Sequence, residues 1–299
     1  MHMTHYYARA GQAPLVVKYG GNALAGDGAP DPVLEEIADL HLAGEPVVLV
    51  HGGGPEIDRA LDERGVASQR VDGLRVTDAT TLAVTEAVLC ATLNKRLVRA
   101  LGALGVRAAG ISGQDGALLV ADRARSVRGA DLGYVGTVAR TDPHLVRTLL
   151  AAGFVPVVAP LALARDCAHA YNVNADLAAA AVAAALRARA FVIVTNVPRV
   201  LRDPDDPASG IDSLALDEAR RFAQSDACRS SMKPKLEAAI SAVAGNAAGT
   251  VDRTQGAAAA YICAARPHAI AKAFAGEATR VCHPERSEVS FAHRAQSKG

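Results

Sequence analysis

The 299-residue chain is half hydrophobic and 21% charged, an ordinary globular composition with room for one sizeable α/β domain or two lobes. A net charge of +1, 4% aromatic residues and no Trp argue against nucleic acid or a membrane surface as a partner. The five cysteines (Cys90, Cys167, Cys228, Cys263, Cys282) form no CxxC pair, which suits buried thiols in a reducing compartment. Residues 1–10 lack the apolar core of a signal peptide, and outside alanine-rich helices no run of about 18 apolar residues marks a membrane span. A soluble, cytoplasmic protein is expected.

Leu15 to Val17 reads as a buried strand that delivers Lys18 and runs into Gly20-Gly21. Strand, cation and then backbone without side chains brings N–H groups and fixed positive charge up to an anion. Taken alone, a Gly-Gly pair after a strand is more often a plain turn. Asp31-Pro32 supplies the cap and first-turn proline of a helix with Val33, Ile37 and Leu40 on one face, ended by Gly44. A second strand, 46–50, leads into His51-Gly52-Gly53-Gly54-Pro55. Two strands joined through one helix, each ending in a glycine turn, put both turns at the carboxyl edge of a parallel sheet, where open α/β folds bind ligands.

Residues 56–64 are predicted helical. Thr77 or Asp78 caps a long amphipathic helix that ends near Gly102, and 106–111 is a third strand. Short extended pieces at 117–121 and 134–139 precede a helix opened by Asp142-Pro143 and a buried strand at 154–160. In Asn172-Val173-Asn174-Ala175-Asp176 the polar residues alternate and are expected on one side, just before an alanine-rich helix to about Arg189. A strand at 191–195, the turn Asn196 to Leu201, a turn-rich loop at 203–210 and a helix led by 230–235 follow. A strand at 261–264, a helix at 267–274 and a strand at 279–282 come last, and 283–299 carries no apolar period. The alternation predicts an α/β fold with an open, mostly parallel central sheet flanked by helices.

Other chemistries fail on inspection. No GxxxxGK, GxGxxG, GxSxG or HExxH occurs, and the nine histidines make no metal spacing, so no metal ligands are assigned. His51 reads as a packing or turn residue rather than a base. Lys18, Arg75 and Lys235 remain; singly each is more often a solvated charge, but together, at strand ends and helix starts, they suit a phosphate plus a carboxylate.

Five motifs make this specific. Lys18-Tyr19-Gly20-Gly21-Asn22-Ala23, His51-Gly52-Gly53-Gly54-Pro55, Gly73-Leu74-Arg75-Val76-Thr77-Asp78, Asn172-Val173-Asn174-Ala175-Asp176 and Met232-Lys233-Pro234-Lys235 stand in the order of the amino-acid kinase family. From 15 to 281 the chain resembles that family, most of all its acetylglutamate-phosphorylating members. The resemblance implies ATP-dependent phosphorylation of the side-chain carboxylate of N-acetyl-L-glutamate, a step of arginine biosynthesis. It implies an N-terminal lobe (14–174) for acetylglutamate, a C-terminal lobe (175–282) for ATP, and an unstructured tail (283–299). Mg2+ would be held mainly by the nucleotide's phosphates.

By the same resemblance Lys18 and Lys235 flank the transferred phosphoryl group and Asp176 holds them by ion pairing. Gly20 and Gly21 let N–H groups reach the phosphates. Gly53 and Gly54 bind the acceptor, Arg75 clamps a carboxylate and Asn172 bonds nearby. Asn196, Val197 and Leu201 meet the nucleotide. A homo-oligomer, dimer rather than hexamer, follows by analogy alone.

Several positions depart from the family pattern. Asn196 replaces an aspartate, Arg199 a glycine, Ser230-Ser231 a Gly-Gly pair and Gln114 a common lysine. The small-residue segment 245–260 is longer than usual. Arg199 is expected to strain a turn built for φ > 0. Lys272 sits where arginine-inhibited members carry an acid, which argues against arginine feedback at the usual site. Two rival readings stay open: a lysine-pathway relative acting on a carrier-protein-blocked aminoadipate or glutamate group, and a non-catalytic regulator that kept the fold. The altered turn favours the regulator; retention of Lys18, Asp176 and Lys235 opposes it.

Overall fold

The computed structural model describes residues 12–20, 31–71, 73–126, 129–197, 199–228, 232–245, 259–265, 268–275 and 278–282. Gly21, Ser230, Ser231, most of 245–260 and the tail 283–299, all singled out above, lie outside the described residues.

The chain opens with β1 (Leu15–Tyr19), α1 (Pro32–Leu42), β2 (Val47–His51) and α2 (Gly54–Asp62). The hairpin β3 (Arg70–Val71) and β4 (Leu74–Arg75) follows, then α3 (Ala79–Glu86). Next come α4 (Asn94–Ala103), β5 (Ala108–Ser112), β6 (Leu119–Arg125), β7 (Asp131–Thr141), α5 (His144–Ala151), β8 (Val155–Ala159), β9 (Leu161–Ala164) and β10 (Ala170–Val173). The second half holds α6 (Ala175–Leu186), β11 (Ala190–Thr195), β12 (Ser213–Ala215), α7 (Leu216–Ala223), α8 (Lys233–Ala244), β13 (Ala259–Ala264), α9 (Ala269–Phe274) and β14 (Thr279–Cys282).

Among the described residues eight strands form one sheet in the order β12-β14-β13-β11-β1-β2-β8-β5, parallel except where β13 meets β14. The central strands are buried on both faces, so they read as apolar runs rather than alternations. Val16, Val48, Val50, Phe191 and Ile193 enter a core under α6 and α8, while Leu15, Val17, Leu49 and Val192 enter another under α1, α4 and α9. Helix α6 is alanine-rich because it is buried nearly all round, between the sheet and α8. No helix among the described residues is long and apolar enough to cross a membrane.

Asp31 caps α1 as expected, accepting from Val33 N and Leu34 N at 3.1 Å. Asp78 rather than Thr77 caps α3, and the long helix runs on through a π-helical turn, Ala87–Leu93, into α4. Two expectations fail. The short pieces at 117–121 and 134–139 are parts of longer strands, β6 and β7, that close a four-stranded barrel with β9 and β10. Bulges after Val120 and Arg123 break the period that would have announced it. The alternation of Asn172, Asn174 and Asp176 is also interrupted, because the helix starts at Ala175 and Asn174 turns away to cap it.

Candidate active site

The site lies at the carboxyl end of β1, which pairs with β2 on one side and β11 on the other. The connections after β1 and β11 lead toward opposite edges of the sheet, the point where open α/β folds carry a crevice. Two glycine turns meet there. Gly52 N donates to Tyr19 O at 3.1 Å, and a Cβ on Gly20 would stand 2.4 Å from Gly52 N. Gly20 is thus required by backbone contact. A Cβ on Gly53 would meet Leu93 at 2.4 Å, whereas one on Gly54 would have nothing within 4 Å and point into open space.

Lys18 shares the face of Val16 and reaches the first turn of α6, where its Nζ lies 2.8 Å from Asp176 Oδ1. That oxygen is buried and takes no well-aligned hydrogen bond, so the contact is an ion pair by distance. Lys235, in the first turn of α8, brings its Nζ to 3.5 Å from Asp176 Oδ2. Burial pushes the Asp176 carboxyl up, but Lys18 and then Lys235 outweigh it and hold the group below the usual carboxylate range. Asn174 Oδ1 accepts from Asp176 N at 2.9 Å and Leu177 N at 3.2 Å, which pins the start of α6. Two cations from elements more than two hundred residues apart therefore converge on one carboxylate.

Beside them is a polar cavity of about 170 Å³ whose lining includes Gly53, Gly54, Arg70, Arg75, Asn172 and Asn174. Arg75 is buried; its Nη1 donates to Asp58 Oδ1 at 2.5 Å and its Nη2 to Gly54 O at 3.2 Å. Asn172 Nδ2 donates to Thr77 Oγ1 at 3.3 Å, and that hydroxyl donates to Arg75 O at 2.9 Å. Sequence reasoning missed Asp58, Ser68 and Arg70, which meet Arg75 only in three dimensions.

His51 is fully buried, and desolvation pushes its pKa down to about 4, so the ring is neutral. Nδ1 donates to Gly52 O at 3.0 Å and Nε2 faces Asn94 Nδ2 at 3.3 Å. It packs the turn, as expected.

A second cavity, about 240 Å³, is apolar and lined by Val197, Leu201, Phe222, Cys228, Met232 and Arg199 among others. Val197 and Leu201 stand where the resemblance puts nucleotide contacts; Asn196 is exposed, accepts from Thr195 Oγ1 at 3.2 Å and does not line this cavity. The expected strain at Arg199 is absent. Its φ is not positive, its guanidinium pairs with Asp212, and Gly210 leaves room for its stem. Gln114 donates to Glu86 Oε1 at 2.9 Å. Asp176 follows directly on Ala175 of the first cavity, and Lys235 lies about one helical turn beyond Met232 of the second. The lysine-aspartate group is the seam between the two. Among the described residues no group of three His, Cys, Asp or Glu side chains could hold a metal ion.

Fold and site together define an open α/β protein that sets two lysines on one buried carboxylate between a polar cavity and an apolar one. The chain belongs to the amino acid kinase family, whose sequence profile matches residues 13–251. It is 41% identical over 257 residues to the acetylglutamate kinase of a Synechococcus species, covering 86% of this chain and 83% of that one. With the acetylglutamate kinase of Methanopyrus kandleri it shares 43% identity over 231 residues, 76% of this chain and 89% of the other. A solved structure of N-acetylglutamate synthase from Neisseria gonorrhoeae, complexed with coenzyme A and N-acetyl-glutamate, superposes with TM-score 0.74 at 25% identity. That match covers 90% of this chain but only 59% of the synthase.

Proposed function

We propose that the protein transfers the γ-phosphoryl group of ATP, with Mg2+ carried on the nucleotide, to the side-chain carboxylate of N-acetyl-L-glutamate in arginine biosynthesis. The observation that carries this reading is the pair of lysines, Lys18 and Lys235, held on one buried Asp176 at the seam between the cavities. The polar cavity in the lobe 14–174 takes the acceptor, whose non-reacting carboxylate meets Arg75 and whose polar groups meet Asn172 and the N–H groups of Gly53 and Gly54. The apolar cavity in 175–282 takes the base of ATP against Val197 and Leu201, with Asn196 at its turn. Gly20 and Gly21 bring backbone N–H groups to the phosphates.

The chemistry asks for no general base, since the acceptor carboxylate is already ionised at neutral pH. What opposes reaction is repulsion between that carboxylate and a triphosphate, and the charge spread over the transferring phosphoryl oxygens. Two lysines fixed by one aspartate supply preorganised positive charge there, and each such donor is worth roughly 3 kcal/mol, a hundredfold or more in rate. A homodimer is part of the same reading, on resemblance alone. The absence of strain at Arg199 weakens one of the two turn features, the other being Asn196, that favoured a non-catalytic regulator.

A hydroxamate assay with ATP and acetylglutamate tests the proposal. Wild type forms acyl hydroxamate, and Lys18→Ala and Lys235→Ala each lose on the order of a hundredfold in kcat or more while keeping the wild-type circular dichroism. Folded wild type that binds ATP and yields no hydroxamate would defeat it.

A further inference from the structure

The β3–β4 hairpin sets Arg70 directly opposite Arg75. Like charges opposed across a strand pair repel each other, and here one carboxylate from another element lies between them. Asp58, on α2, accepts from Arg75 Nη1 through Oδ1 at 2.5 Å and from Arg70 Nη2 through Oδ2 at 2.9 Å. Ser68 Oγ donates to the same Oδ1 at 3.1 Å and receives Arg75 Nη1. Two arginines and one aspartate leave one net positive charge at the mouth of the polar cavity, which both arginines line.

The two arginines are held differently. Arg75 is buried and spends both donors of Nη1 and one of Nη2 on protein acceptors. Of its five donors, two stay uncommitted among the described residues. Arg70 has a side chain 47% exposed and, among the described residues, one ion-pair tie, to Asp58, which leaves its fork room to turn toward the cavity. The bland explanation of Arg70 is a surface ion pair, which is worth little to stability. It does not explain why the cation stands directly across from the buried arginine and lines the same cavity.

We propose that Arg70 is a second acceptor-binding residue: Arg70 and Arg75 form a two-arginine cradle for the acceptor's non-reacting carboxylate, with Asp58 and Ser68 as positioning residues. This rests on the acetylglutamate reading above. Arg75 gives the fixed half of the cradle and Arg70 the half that closes when a carboxylate arrives. Asp58 keeps both guanidinium groups at the rim and screens their repulsion while the cavity is empty.

Steady-state kinetics and calorimetric titration of the full-length protein with acetylglutamate test it. Arg70→Gln raises both acceptor KM and Kd about tenfold, the loss expected for one charge-assisted contact, and leaves kcat and ATP KM in place. Arg70→Lys keeps the charge without the fork and falls between wild type and Arg70→Gln. Asp58→Asn weakens acceptor binding several-fold, and adding Arg70→Gln to it costs less than Arg70→Gln costs alone, because the two act through one contact. With an acceptor whose non-reacting carboxylate is a carboxamide, wild type and Arg70→Gln become equal. Wild-type acceptor affinity in Arg70→Gln, or an equal loss on the carboxamide, overturns the cradle while leaving the kinase reading intact. A wild type that neither binds nor phosphorylates acetylglutamate overturns both.

Discussion

The two cavities that flank the lysine pair are built on different principles. The side proposed for the acceptor is polar and over-determined: Arg75, Asp58, Ser68, Thr77 and Asn172 are tied by hydrogen bonds drawn from α2, the β3–β4 hairpin, β10 and the segments beside them. The side beyond Met232 is apolar, and Val197, Leu201 and Phe222 define a shape rather than a set of directed bonds. A few placed polar groups fix orientation, whereas apolar walls supply burial that tolerates substitution. Two departures from the family pattern, Asn196 and Arg199, sit at the turn beside the apolar cavity, while Gln114 departs elsewhere, paired with Glu86. The four motif residues proposed to bind the acceptor, Gly53, Gly54, Arg75 and Asn172, are intact. Substitutions should therefore act sharply at the seam, selectively on the acceptor side and weakly at the turn.

The largest effect belongs to the seam. Asp176→Asn removes the one carboxylate that Lys18 and Lys235 share and leaves two cations facing each other, one of them buried with it. Breaking a buried pair from one side costs about 3–5 kcal/mol of stability, so the thermal midpoint drops as well. In the fraction that stays folded, kcat falls by about a hundredfold or more, because the lysines are no longer aimed at the phosphoryl position. Acceptor KM changes little, since Arg75 and Asn172 are held by other groups. Equal losses in kcat and in acceptor affinity would show that the seam and the polar cavity are one unit.

Two glycines sharpen the comparison, one at the seam and one in the polar cavity. Gly20→Ala drives a methyl group onto the backbone of Gly52, at 2.4 Å from its nitrogen, where no side chain can swing away. It should lower stability by about 1–3 kcal/mol and impair turnover with it. Gly54→Ala meets nothing within 4 Å and starts a helix, so its stability is unchanged or improved. Its methyl group stands in the cavity instead, and acceptor KM rises while ATP KM holds. Thermal melts and the two KM values separate these outcomes; a destabilised Gly54→Ala would mean that the open space is not open.

Legibility in the sequence follows the same division. Strand-turn units were readable because their signals are local: Leu15 to Gly20 and Val47 to Gly54 each carry an apolar run and a breaker in a few residues. The barrel was not, since β10 pairs with β7 across more than thirty residues and β6 carries bulges that scramble its period. Asn174 was misplaced because the period changes from two to 3.6 within the motif, and the residue at the change becomes a cap. Asp176 could be put with Lys18 and Lys235 only through the resemblance to a family; in the fold both Nζ atoms lie within 3.5 Å of its carboxylate. The Asp58, Ser68 and Arg70 cluster had no sequence signal at all, as its members come from α2, a loop and β3.

The smallest effect tests the apolar side. Arg199 replaces a glycine in a turn where φ > 0 was expected, yet its backbone stays outside that region. Its guanidinium lies against an aspartate, Asp212, whose side chain is 75% exposed, so the pair is open to solvent. Arg199→Gly should therefore relieve no strain, and the ion pair it removes is open to solvent, so the change stays within about 1 kcal/mol of wild-type stability. It also loosens the turn in the unfolded chain, which pushes in the destabilising direction by a similar amount. ATP KM should shift by no more than about threefold, because the walls formed by Val197, Leu201 and Phe222 remain. A rise in stability of a kcal/mol or more, read from urea melts, would mean that Arg199 is strained after all and that the turn, rather than the lysine seam, limits how this side closes on its ligand.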